Sequence, residues 1–168
     1  LAVEGPGLKI TGAGQNGLFG GLSFKGDASF SNLTAARAGA KGLITASWTA
    51  AQDKGDKPWV FSLDAGATGF ATGMEEVDHL VGATPHLKGE AAWDGHVWQV
   101  THANLLGGAG DVNAAGQIGG DGALGLKLDW RANGPFEVGP LEIAGEGSGS
   151  GDVAGTLANL MSAAIVSM

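Results

Sequence analysis

Apolar and polar residues alternate along most of this chain. The alternation is clearest over residues 123–131, where leucines and a tryptophan at every second position are separated by glycine and charged residues. The same period of two runs through 22–30, 43–49 and 59–65. Successive side chains of a β-strand point to opposite faces, so this pattern predicts strands with one apolar and one polar face. The sequence therefore predicts a mainly antiparallel β-structure.

Turn residues separate the alternating segments. The polar stretch DKGDKP, residues 53–58, lies between two such segments and predicts a hairpin. A DG pair at Asp94 and Gly95 predicts another tight turn. In the strand that follows, the apolar positions step by three instead of two, as one extra residue in a strand would produce. We therefore expect a β-bulge near Thr101 and His102.

Two segments depart from the period of two. In MEEVDHLV, residues 74–81, apolar residues at i, i+3 and i+4 predict a short helix. After Thr156, a suitable N-cap, apolar residues recur at helical spacing from Leu157 to Met168. This second segment predicts an amphipathic helix, so we expect one or two short helices in an otherwise all-β chain.

Strands of this kind give a sheet one continuous apolar side. Such a side is either packed against another layer of the protein or used to bind a partner or ligand. We expect an extended, twisted and curled antiparallel sheet in a single domain over residues 1–168. The residues predicted to line its apolar side are Leu22, Phe24, Phe30, Ile44, Trp48, Trp59, Phe61, Leu63, Trp98, Val100, Leu124, Leu126, Leu128 and Trp130. Periodicity alone favours the dry core of a closed β-sandwich or barrel, because all such cores alternate inward.

Composition narrows the class of protein. The 168 residues include 32 glycines, no tyrosine and only 15% charged residues, a profile typical of short strands joined by tight turns. A net charge of −8 disfavours nucleic acid as a partner. Without cysteine there is no disulfide framework and no thiolate metal site. The N-terminal residues match no signal peptide, and no apolar run approaches the length of a membrane helix. The chain starts inside what looks like a strand, so we expect a fragment of a longer protein.

A G-x-G-x-x-G spacing at Gly12, Gly14 and Gly17 invites comparison with dinucleotide-binding turns. That motif works only where a helix follows the glycines and offers its N-terminus to a pyrophosphate. Here the period of two resumes from Leu22. We therefore interpret the glycines as a turn between strands, and no cofactor is expected.

No other motif predicts catalysis or metal binding. The four histidines, at 79, 86, 96 and 102, lack zinc-ligand spacing. Glu75 and Glu76 are adjacent, so on a helix they would point apart and could not act as a catalytic pair. GSGSG at 147–151 has the letters of a nucleophile elbow but no helix after it. We expect neither an enzyme nor a metal protein.

The chain from His86 to Asn159 resembles the C-terminal part of the TamB family, within the AsmA-like superfamily. The resemblance lies in an ordered set of cues: a G-x-x-x-W-D-G turn, an A-x-L strand end, an A-x-G-x-I step, the GPFEVG stretch and a closing G-x-V-x-G-T-L-A. Over residues 8–73 it is limited to strand rhythm. The family's closing signature is generally followed by another strand, so the predicted C-terminal helix departs from the pattern.

The resemblance implies a translocation and assembly module of the bacterial cell envelope. Such proteins are anchored in the inner membrane, cross the periplasm and engage an outer-membrane barrel protein. Their sheets are folded lengthwise into a β-taco, a hydrophobic groove thought to carry phospholipid acyl chains or to aid outer-membrane protein assembly. The resemblance would make this chain a periplasmic segment without its anchor. It also favours an open groove over the closed core of a sandwich or barrel.

Two other classes of function stay open at this point. One is a module that captures β-strands at an open sheet edge. The other is a structural β-repeat of a secreted or surface protein.

Overall fold

The computed structural model describes residues 1–17, 20–35, 37–138 and 141–156, which form twelve strands, one α-helix and a single 3-10 turn at Leu33–Ala35. The helix α1 is Glu75–Val81. The strands are β1 Ala2–Gly5, β2 Leu8–Asn16, β3 Leu22–Phe30, β4 Lys41–Gln52, β5 Trp59–Ala71, β6 His86–Trp93, β7 Val97–Leu106, β8 Gly110–Gly119, β9 Ala123–Asn133, β10 Phe136–Val138, β11 Leu141–Ile143 and β12 Glu146–Thr156.

Ten of these strands form one antiparallel sheet. Strands β1 to β9 follow one another in chain order, and β12 pairs with β9 to end the sheet. The remaining two, β10 and β11, form a small hairpin between β9 and β12. The predicted all-β antiparallel class is confirmed, as is the hairpin of β4 with β5. The short helix predicted within 74–81 is also confirmed, as Glu75–Val81 with Met74 at its N-cap position.

The register keeps most of the large apolar side chains of the sheet on the same side. Cross-strand partners of an antiparallel pair share a face, and Trp48 of β4 lies opposite Leu63 of β5. A shift by one residue would move every apolar side chain of a strand to the other face, so the alternation itself specifies the pairing.

The predicted bulge in β7 is confirmed. On β6, Glu90 pairs with His102 and Ala91 with Val100, so Thr101 has no partner there. The register of β7 with β8 shifts at the same place. The extra residue restores the apolar positions to the same face beyond the bulge.

The DG turn between β6 and β7 is also confirmed. Its Asp94 carboxylate accepts hydrogen bonds from the backbone N–H groups of Val97 and His96, each at 2.8 Å. These bonds favour the ionised form and lower the pKa of Asp94. Gly95 has φ of 102°, a conformation that other residues rarely adopt.

The glycines at 12–17 do not form the predicted turn. Strand β2 runs through to Asn16, with Gly12 opposite Gly26 and Gly14 opposite Phe24. The turn begins only at Gly17, whose N–H donates to the carbonyl of Gly21 at 2.7 Å. Glycine in a strand marks a close approach of other atoms, and here it leaves room for aromatic rings.

Aromatic rings lie over glycines of neighbouring strands. A Cβ built on Gly26 would be 2.8 Å from the Trp48 ring, and one on Gly149 would be 2.8 Å from the Trp130 ring. Gly14 has the same relation to Phe24, at 2.5 Å. The rings therefore cover backbone that would otherwise be bare, which gives this sheet part of the packing that a second layer supplies elsewhere.

The sheet is one layer thick over the described residues. A compact monomer of 16.6 kDa exposes about 7,600 Å², whereas this chain exposes 10892 Å², about 3,300 Å² more. The buried apolar residues are few and mostly small: Leu33, Ala40, Ala50, Leu124 and Ala132. Within the described ranges no second sheet covers the apolar side, so the apolar residues there do not form the closed sandwich that periodicity alone favours.

The expected lengthwise curling into a β-taco is wrong for this chain, because the sheet is open and uncurled. Strong curvature needs bulges or glycine kinks repeated along the strands. In the described part of the sheet, register shifts lie between β4 and β5, β6 and β7, and β7 and β8, and isolated glycines with positive φ lie within β4, β5, β8 and β12, so neither feature repeats along any one strand. The other ladders of the sheet run without interruption. The predicted helix from Leu157 to Met168 lies outside the described residues.

Candidate apolar binding face

All fourteen residues predicted to line the apolar side lie on one face of the sheet. We call this surface the apolar face; the residues are Leu22, Phe24, Phe30, Ile44, Trp48, Trp59, Phe61, Leu63, Trp98, Val100, Leu124, Leu126, Leu128 and Trp130. They come from strands β3, β4, β5, β7 and β9, so residues far apart in sequence share one surface.

Rows of cross-strand partners make this face continuous. One row runs from Phe24 through Ala50 and Phe61 to Ala91, and then through Val100, Gly116 and Leu126 to Val153. Each step in the row is one strand, about 4.8 Å. The row therefore crosses eight strands without a charged side chain.

Aromatic rings form a cluster at one end of the apolar face. Phe61 and Trp98 have ring centroids 4.9 Å apart, and Trp93 and Trp98 have centroids 5.1 Å apart. Trp59 lies 6.3 Å from Phe61 and 6.0 Å from Phe24. Tilted pairs at these separations are favourable. The rings on β3, β5, β6 and β7 therefore pack sideways on one another.

The apolar face is open to solvent. Phe24 and Leu63 are each 39% exposed, and Trp130 is 43% exposed. A shallow depression of about 440 Å³ lies around Gly89, between larger side chains such as Phe61, Leu87 and Val100. Contiguous exposed apolar surface on this scale is typical of binding sites for partners, ligands or membranes, so we take the apolar face as the candidate site.

Sequence reasoning missed several members of the same face. Trp93, Leu87, Leu105, Val112 and Ile118 also belong to the rows of the apolar face. Trp93 lies two residues after Ala91 and four after Gly89, at the spacing of one strand face. Small residues at those positions hide the alternation from a reader of the sequence.

The opposite face is polar and hydrogen-bonded across strands. Asn104 Nδ2 donates to Asn113 Oδ1 at 2.9 Å, and Gln117 Nε2 donates to Gln99 Oε1 at 2.9 Å. Such side-chain pairs satisfy one another and remain accessible to water. The two faces of the sheet therefore differ in chemistry over most of their width.

One of the four histidines, His86, belongs to a cluster of ion pairs on the polar face. Asp64 Oδ1 is 2.6 Å from His86 Nε2, and Asp64 Oδ2 is 3.2 Å from Lys88 Nζ. Partial desolvation raises the pKa of Asp64, but the hydrogen bonds and charges of Lys88 and His86 outweigh it, so the pKa is lowered. His96 lies in the DG turn, and His79 and His102 are exposed.

The described ranges hold no group of three or more histidine, aspartate or glutamate side chains placed to bind a metal ion. None of the helices found there has the length and apolar character needed to span a bilayer.

Comparisons with protein-family models, with curated proteins and with solved structures find no match for this chain. The resemblance to the TamB family therefore rests on the sequence cues alone and stays a prediction.

Proposed function

We propose that this chain is a periplasmic segment of a TamB-like bridge protein whose apolar face carries phospholipid acyl chains between the inner and outer membranes. The observation that supports the proposal is the uncovered apolar face, which gathers all five tryptophans of the sequence on one side of a single-layer sheet. Contact with an outer-membrane barrel protein, and any role in outer-membrane protein assembly, would belong to the longer protein.

The chemistry of the apolar face suits hydrocarbon. Each methylene that is kept from water contributes about 0.8 kcal/mol. The row from Phe24 to Val153 carries only apolar side chains and glycine, so no polar side chain competes for the space along it. Ten strands at about 4.8 Å spacing span about 43 Å, longer than an extended acyl chain needs. Head groups would stay in water beyond the edges of the face, so the proposal includes no head-group specificity.

Leu126 provides the test, because it lies within the long apolar row. A photo-crosslinker at position 126 is expected to label phospholipid, whereas one at Lys127, the next residue and on the polar face, is not. Leu126→Asp is expected to abolish labelling while the fold survives, since an uncovered face lets water reach the carboxylate. Unfolding by Leu126→Asp, together with no lipid label from position 126, would contradict the proposal and indicate a closed core in solution.

A second candidate function is strand capture at the edge of the sheet, and the geometry of β12 favours it. This strand of eleven residues pairs with β9 on one side and has no strand on its other side in the described part of the chain. Its only charged residues are Glu146 and Asp152, and it contains no proline. Long edges without such protection add further strands readily. A crosslinker at Asp152 that labels an unfolded barrel protein, with no label from position 127, would support this function.

A further inference from the structure

Helix α1 and the apolar face enclose a cleft at the end of the sheet opposite the aromatic cluster. Its volume is about 350 Å³, and apolar atoms form nearly all of its surface. The helix contributes one wall and strands β7, β8 and β9 contribute the other. The apolar side chains of these walls are Leu80, Val81, Leu105, Val112, Trp130 and Ala132.

The wall that α1 provides is fixed by hydrogen bonds at both ends of the helix. The N–H groups of Gly108 and Ala109, in the turn before β8, donate to the carbonyls of Val81 and Leu80 at 2.9 and 3.1 Å. On the other side, Asp78 accepts bonds from the N–H and the hydroxyl of Thr72 at 2.6 and 2.7 Å. The cleft is therefore preformed.

The mouth of the cleft is accessible. Leu80 is 39% exposed and Trp130 is 43% exposed, although both belong to its walls. Leu105, Val112 and Trp130 also form one cross-strand row of the apolar face. A hydrocarbon chain lying on that face would reach the cleft without leaving apolar surface.

We propose that this cleft holds the terminal part of one acyl chain, an inference that rests on the proposed function of the apolar face. The volume is at the lower end for ligand sites and too small for a helix, which is about 10 Å wide. An added strand is also disfavoured, because its backbone groups would find no hydrogen-bond partners on these walls. A hydrocarbon chain has no hydrogen-bonding groups, so it can enter the cleft without leaving any polar group unpaired.

Leu80→Ala tests the cleft, with Leu106→Ala as its control. Alanine is the best helix former, so α1 is expected to remain intact. The loss of the leucine branch from the wall is expected to weaken palmitate binding, measured by calorimetry, about tenfold. Leu106 is 49% exposed and lies on the polar face, so its truncation is expected to leave binding unchanged.

Fluorescence quenching would locate the terminal carbon of the bound acyl chain. In a variant that keeps Trp130 as its one tryptophan, palmitate brominated at its terminal carbon is expected to quench emission more strongly than palmitate brominated beside the carboxylate. A sister variant that keeps Trp98, in the aromatic cluster, is expected to show no such preference. If either variant fails to fold, the Leu80→Ala measurement decides alone.

The outcomes separate this inference from the function on which it rests. Palmitate binding that is equal in the wild type and Leu80→Ala, or terminal quenching that falls on Trp98, would overturn the cleft and leave the apolar face as a lipid surface. Failure of the wild-type protein to bind palmitate or phospholipid at all would overturn both.

Discussion

Gly26 provides the sharpest test of how this single-layer sheet is packed. It lies in the middle of β3, and a Cβ built on it would overlap the backbone carbonyl of Thr11 on β2. The same Cβ would be 2.8 Å from Gly12 Cα and 2.8 Å from the Trp48 ring. Gly26→Ala must therefore separate β2 from β3 or displace the ring.

The expected cost follows from what has to move. Adding atoms to a well-packed site costs about 1–3 kcal/mol of stability. Here the added Cβ meets backbone atoms, which cannot rotate away as a side chain can. We therefore expect a cost near the upper end of that range. A loss of about 3 kcal/mol would lower the thermal midpoint of a domain of this size by about 6–12 °C. In urea, the midpoint would fall by about 1–3 M.

Two matched variants isolate the cause. Gly125 lies inside β9 and has nothing within 4 Å of a built Cβ, so Gly125→Ala is expected to be neutral or to stabilise by about 0.5–1 kcal/mol. A Cβ on Gly12 would meet the Trp48 ring first, at 2.9 Å. Gly12→Ala is therefore expected to cost less than Gly26→Ala, and Trp48→Leu should relieve that cost in a double-mutant cycle.

Thermal and urea unfolding followed by circular dichroism would measure all of these changes. Equal stabilities for Gly26→Ala and Gly125→Ala would refute the close approach of β2 to β3. If Gly12→Ala destabilises the Trp48→Leu variant as much as it destabilises the wild type, the Trp48 ring does not occupy the space beside Gly12.

The remaining predictions concern the helix and the bulge. The pKa of Asp78 is lowered mainly by hydrogen bonds from Thr72, so its contribution to stability is present above the ordinary value of 3.8 and is lost as the pH falls through the lowered value. Asp78→Asn should therefore weaken the dependence of the unfolding midpoint on pH below 3.8, and an unchanged acid profile would contradict this role. Deletion of Thr101 should be tolerated, because it removes the extra residue of β7 and leaves every later side chain on its face. Deletion of Asn113 from the unbulged β8 should unfold the sheet by reversing the faces of half a strand, and equal unfolding midpoints for the two deletions would argue against the bulge.

Local pattern was enough to predict much of the candidate site. The fourteen apolar residues were assigned to one side from period-two alternation alone, and the pairing places all of them there. The bulge at Thr101 and His102 could be predicted for the same reason, since a step of three in a strand has one simple geometric explanation. Trp93 escaped because its neighbours on the face, Gly89 and Ala91, carry no apolar signal.

The sequence by itself determined most of the strands, the bulge in β7 and the side of the fourteen listed apolar residues, because these depend on neighbours close along the chain. Only the tertiary structure decided that Gly12 and Gly14 belong to a strand, since the rings that occupy their space come from β3 and β4. It also decided that the sheet stays open in one layer and that α1 forms a wall beside Trp130. Curvature and coverage depend on bulges, ring positions and contacts between distant segments, and alternation carries no information about them.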